Sequence, residues 1–79
     1  MKRYFEVLYV LHIALIEARS AESVEKASIL ADIVHNVPTM IMAGSEEGEI
    51  IAKVMLNAKR HGLESYFSKL IEKAKNKQT

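Results

Sequence analysis

Apolar side chains recur along this chain at intervals of three and four residues, which is the period of an α-helix. The pattern predicts four main helices, over residues 3–19, residues 22–35, a stretch between Ser45 and Gly62, and residues 63–75. A short linker helix over residues 38–43 joins the second to the third. Proline occurs once and glycine three times, so helix-breaking residues are scarce. We predict an all-α fold, a small helical bundle of four main helices plus one short linker helix.

The first predicted helix is apolar around most of its circumference. Such a helix is buried on several sides, and a chain of 79 residues has little other structure to surround it. We therefore predict that it lies at the centre of the bundle, at a subunit interface, or both. His12 is expected on its apolar, buried side. The candidate interface residues are Phe5, Leu8, Val10, Leu11, Ile13 and Leu15.

The run DIVHNVPTM, residues 32–40, has the composition of a helix end. Asn36 tolerates the left-handed conformation that often follows a helix. Val37 precedes proline and is expected to be extended, and Pro38 suits the first turn of the next helix. The other expected signals are Ser20 or Ser23 as a cap, Gly44 as a stop, Ser45 as a cap and Gly62 as a stop.

Apolar residues of the second helix and of the linker helix are expected in the core. Met40, Met42 and Met55 could instead line a pliable groove for a partner helix. The expected core residues of the second helix are Val24, Ala27, Leu30, Ala31 and Val34, and those of the linker helix are Met40, Ile41 and Met42.

The length predicts a single domain over residues 1–79, with a marginal core. Small domains often add disulfides, a metal or a partner. Cysteine is absent, which excludes disulfides and cysteine-based zinc sites. We therefore expect a partner subunit.

Charge is unevenly distributed although the net value is only +1. Residues 1–49 carry four Lys or Arg and eight Asp or Glu, a net −4, and residues 50–79 carry seven and two, a net +5. This asymmetry indicates a basic surface at one end or complementary halves that meet within or between chains.

The N-terminal segment has the outline of a signal peptide, with basic residues before an apolar run. Glu6 and His12 interrupt that run, and Glu6 and Glu17 leave too few apolar residues for a membrane span. We expect a cytoplasmic protein without membrane contact.

Asp32 and His35 are three residues apart and share one face of a helix. A carboxylate and an imidazole at this spacing resemble half of the inward-facing motif of metal-binding bundles. His12, or a second subunit, could supply further ligands. The alternative is that Asp32 is solvated and bonds to His35 at the helix end, and that His12 is a core histidine.

The run LNAKRHGLESYFSKLI, residues 56–71, is comparable to a helix-turn-helix, in which the second helix enters the DNA major groove. Ala58, Gly62, Leu63 and Ile71 fit that pattern, whereas Ser68 stands where an apolar residue is expected. Candidate phosphate contacts are Lys59, Arg60, Lys69 and Lys73. The alternative is that these basic side chains form a solvated face and bind no phosphate.

No cysteine nucleophile, glycine-rich phosphate loop or Ser-His-acid order occurs in the sequence. We therefore expect neither an enzyme nor a cofactor.

The run LADIVHNVP, residues 30–38, resembles a segment of small, uncharacterised bacterial helical proteins. The shared residues are Ala31, Asp32, His35, Asn36 and Pro38. The resemblance implies a small bacterial protein and no particular mechanism.

The first helix and the opposed charges of the two halves favour a non-enzymatic interaction protein. Its expected partner is a second copy, as a homodimer or larger homo-oligomer, or another protein. The alternative is a small nucleic-acid-binding regulator that uses residues 56–77.

Overall fold

The computed structural model describes residues 3–77, and these form five helices and no strand. In chain order they are α1 (Phe5–Ser20), α2 (Val24–Val34), α3 (Val37–Met42), α4 (Glu47–Arg60) and α5 (Glu64–Lys77). The prediction of four main helices with one short linker helix is confirmed. None of these helices is both long enough and apolar enough to cross a membrane.

Both predicted glycine stops adopt the left-handed conformation, with φ of 80° at Gly44 and 73° at Gly62. After α4, the amide of Gly62 bonds to the carbonyl of Lys59, and the amide of Leu63 bonds to that of Ala58. This pair of bonds is the Schellman arrangement, and Gly44 and Ser45 form it after α3. A side chain other than hydrogen is strained at these angles, which is why glycine stands there.

The predicted caps are partly right. The Ser23 hydroxyl accepts a hydrogen bond from the amide of Lys26 at 3.1 Å and caps α2. Ser45 does not cap α4, because Glu46 precedes that helix and makes no side-chain cap bond. The backbone of Ser45 is engaged elsewhere, since its carbonyl accepts the Tyr4 hydroxyl at 2.9 Å.

The connection between α2 and α3 differs from the prediction at two residues. Asn36 is right-handed, with φ −84° and ψ −7°, and its carbonyl accepts the first bond of α3 from Met40. Val37 is the first residue of α3 and is buried. Because Val37 is buried as the first residue of α3, the chain enters this helix directly after Asn36. No left-handed or extended residue separates α2 from α3. Pro38 stands in the first turn of α3, as expected.

The N-terminus of α1 is capped from a distant part of the chain. Tyr4 precedes the helix and supplies no side-chain cap. Instead, a carboxylate oxygen of Glu47, in the first turn of α4, accepts the amide of Val7 at 3.1 Å. This bond joins the starts of two helices and places a negative charge at the positive end of α1.

The core lies between α1 and the other main helices. α1 packs against α2, α4 and α5, which confirms its predicted central position. The buried apolar residues are Val7, Val10, Ala14, Leu30, Ile33, Val34, Val37, Ile50, Val54, Ala58, Phe67, Leu70 and Ala74.

Three residues expected to be buried are exposed. Val24 is 84% exposed and Met42 is 88% exposed. Val24 is the first residue of α2, and Met42 is the last residue of α3. His12 is exposed as well. Met40 and Met55 pack against the edge of the core.

Candidate interaction surface

Four large apolar side chains of α1 point away from the core. They are Phe5, Leu8, Leu15 and Ile16, and each is between 40% and 49% exposed. Their positions in a 3.6-residue period place them on one side of the helix together with exposed His12. These five residues are called the outward face of α1 below. α1 is therefore apolar on two opposite sides, one packed in the core and one in contact with solvent.

The structure divides the six predicted interface residues into three groups. Phe5, Leu8 and Leu15 lie on the outward face, whereas Leu11 and Ile13 are partly buried at its flanks. Val10 is 0% exposed and is a core residue, so its prediction as an interface residue is wrong. It lies on the same side of α1 as the buried residues Val7 and Ala14.

Two residues of the outward face, His12 and Ile16, are missing from that predicted set. The signal that groups them with the others is spacing: His12 continues the series Phe5, Leu8, His12, Leu15 at intervals of three, four and three, and Ile16 lies four residues after His12. Residues spaced in this way form the seam of a helix pair.

A shallow, open groove of about 510 Å³ runs along the α2 side of the outward face. Leu15 belongs to both features, so the apolar surface continues from one into the other. The α2 wall consists mostly of small side chains, which leave room for a helix to approach. The groove is lined by Leu15, Ala18, Arg19, Val24, Ala27, Ser28 and Ala31. Where α5 packs beside α1, Nζ of Lys77 lies 5.9 Å from the ring centre of Tyr9.

Asp32 lies between two histidines, although not between the two proposed from sequence. Its carboxylate oxygens are 3.8 Å from Nδ1 of His35 and 3.8 Å from Nε2 of His61, at the end of α4. Nδ1–H of His35 also donates to the carbonyl of Asp32 at 2.9 Å. His12, the third residue of the proposed set, belongs to the outward face of α1. Within residues 3–77, no group of three His, Cys, Asp or Glu is arranged to hold a metal ion.

The four candidate phosphate contacts are all exposed. Lys59 and Arg60 are in the last turn of α4, and Lys69 and Lys73 are on α5. Residues 61–63 separate the two helices, which matches the short turn of the compared motif. Two carboxylates, Glu64 and Glu72, also lie exposed on α5 and reduce its positive charge.

A second cavity, of about 280 Å³, lies between α1, α2 and the start of α5. The Tyr66 hydroxyl is buried beside it and finds no hydrogen-bond partner among residues 3–77. Burial, and secondarily the charge of Glu17, raises the pKa of Tyr66 above its ordinary value of 10.0. The ring of Tyr66 packs edge-on against Phe67, with centres 5.2 Å apart. The cavity is lined by Glu17, Lys26, Ile29, Leu30, His61, Leu63 and Tyr66.

Comparison of the chain with family models, with curated proteins and with solved structures finds no match. The resemblance of residues 30–38 to small bacterial helical proteins remains a prediction.

Proposed function

We propose that this chain is a non-enzymatic protein-interaction module that forms a homodimer or a larger homo-oligomer through the outward face of α1. The observation that carries the proposal is the exposure of Phe5, Leu8, Leu15 and Ile16 on one side of a helix. The proposal places the module in the bacterial cytoplasm and assigns it neither a reaction nor a cofactor.

The energetic support is the favourable free energy of removing exposed apolar surface from water. Burying apolar area contributes about 25 cal/mol per Å², and large exposed apolar patches on soluble proteins generally mark interaction sites. The groove that adjoins the outward face includes Val24, an apolar residue of α2 that is 84% exposed. Covering this surface would supply stability that a 79-residue core provides only marginally.

The size of the surface indicates which helices take part. α1 has 16 residues, so one face of it is about 24 Å long and about 10 Å wide. Stable interfaces bury about 800 Å² on each partner, which one helix face does not reach. We therefore expect the partner to contact the small residues of α2 as well as α1.

The chemistry of the surface favours a second copy. Its charged or titratable groups are His12 near the middle and Arg19 at one end. A mainly apolar face can pack against itself about a two-fold axis without burying many unpaired charges.

The test compares two leucines of similar exposure. Leu8 on α1 is 49% exposed and Leu56 on α4 is 46% exposed. We expect the native mass of wild-type protein to be that of a dimer or larger oligomer, Leu8→Lys to be monomeric with unchanged helical circular dichroism, and Leu56→Lys to keep the wild-type mass. A wild-type monomer at tens of micromolar, or an oligomeric Leu8→Lys, contradicts the proposal. Val10→Lys is unsuitable, because Val10 is in the core.

A second candidate function is nucleic-acid binding by residues 56–77. Exposed basic side chains at the end of α4, Lys59 and Arg60, and along α5, Lys69 and Lys73, favour it. A labelled random duplex should then bind at low salt, and its affinity should fall steeply as salt is added. Arg60→Glu with Lys69→Glu should weaken binding further, while Lys26→Glu on α2 serves as a control. Absence of binding at low salt excludes this function.

A further inference from the structure

Two pairs of exposed residues on the outward side of α1 lie symmetrically about His12, and one of these pairs includes Arg19, which is next to the outward face as defined. Leu8 and Ile16 lie four residues before and after it, and Phe5 and Arg19 lie seven residues before and after it. Residues at spacings of four and seven lie on one side of a helix, and side chains spaced in this way form the seam of two closely aligned helices. His12 is also near the middle of α1, which runs from residue 5 to residue 20.

We infer that two copies of this chain pack with their α1 helices antiparallel about a two-fold axis beside His12. This inference rests on the proposed self-association. In this arrangement Leu8 contacts Ile16 of the partner subunit, and Phe5 lies beside Arg19 of the partner subunit. The groove between α1 and α2 receives the partner subunit on the flank of the same contact.

The charge of Arg19 decides between the two directions of packing. In a parallel pair, each residue lies beside its own copy, so two guanidinium groups would meet at one end of the interface. Like charges brought together in this way oppose association. In the antiparallel pair, Arg19 meets an aromatic ring instead, and a guanidinium over an aromatic face is attractive.

His12 gives the interface a single register. A polar residue in an apolar helix seam reduces affinity but disfavours shifted pairings, because each shift buries it against hydrocarbon. With the axis beside His12, the two imidazoles are adjacent and can share a hydrogen bond. Sliding the helices by one turn would place each imidazole against Leu8 or Ile16 of the partner subunit.

Cysteine cross-linking tests this geometry, because the natural chain contains no cysteine. A disulfide needs Cα atoms within about 7 Å of each other. His12→Cys should form a covalent dimer under mild oxidation, and a mixture of Leu8→Cys with Ile16→Cys should form the mixed dimer. Leu8→Cys alone should not, because in the antiparallel pair its two copies are eight residues apart, or about 12 Å along the helix. Leu56→Cys, on α4, is the matched control outside the interface.

The outcomes separate the geometry from the self-association on which it rests. We expect His12→Cys to cross-link at least about ten times faster than Leu8→Cys alone, with helicity retained in each variant. Fast cross-linking of Leu8→Cys alone indicates parallel helices and overturns the inference. If α1 variants of wild-type mass fail to cross-link, the geometry is wrong although the self-association stands. A monomeric wild-type mass removes the proposed function and this inference together.

Discussion

At the scale of single residues, Tyr66 presents an unsatisfied polar atom. Its hydroxyl is buried without a hydrogen-bond partner among the described residues, while its ring packs against Phe67. A buried hydroxyl without a partner costs about 1–3 kcal/mol. The residue therefore stabilises the fold through its ring and opposes it through its oxygen.

Tyr66→Phe removes that oxygen and keeps the ring. We expect the free energy of unfolding in urea to stay the same or to rise by about 1 kcal/mol. A decrease of more than about 1 kcal/mol in the free energy of unfolding would mean that the hydroxyl has a hydrogen-bond partner in solution, such as a water molecule in the adjacent cavity.

The same hydroxyl predicts how stability depends on alkaline pH. Because the pKa of Tyr66 is raised in the folded state, the unfolded chain ionises first as the pH rises. The folded state is thus favoured fully below pH 10 and loses stability above it. Urea unfolding of wild-type protein from pH 8 to pH 11 should show this loss, and Tyr66→Phe should show a smaller one. Equal slopes would contradict the raised pKa.

At the scale of elements, the start of α1 depends on α4. The bond from the amide of Val7 to the carboxylate of Glu47 replaces a local cap. Loss of a helix cap costs about 0.5–2 kcal/mol, so Glu47→Ala should lower the free energy of unfolding by about 1 kcal/mol. Glu49→Ala, in the same first turn and exposed, is the control. Equal effects of the two variants would show that only the charge near the α4 terminus matters.

At the scale of the whole molecule, a core limited by chain length is combined with an uncovered apolar side of its central helix. If association covers that side, folding and association are coupled and the melting temperature depends on protein concentration. We expect the wild-type midpoint to rise between about 5 and 500 µM, whereas that of Leu8→Lys stays constant. A wild-type midpoint independent of concentration would count against a coupled dimer.

The chain's own pattern was sufficient for the helices and their glycine stops. Period and composition identify each helix to within a few residues, and a glycine such as Gly62 is a local signal for a left-handed turn. Ser23 could be predicted as a cap because its partner, Lys26, is three residues away. These features depend on neighbours in sequence, and neighbours in sequence can be read directly.

Tertiary packing decided which sides of those helices are covered. α1 is apolar around most of its circumference, so the spacing could group Phe5, Leu8 and His12 on one side but could not show that this side faces solvent while Val10 faces the core. The cap that Glu47 provides to Val7 and the proximity of His61 to Asp32 join residues far apart in the chain. Burial and long-range contacts depend on how helices are placed against one another, and no local period encodes that placement.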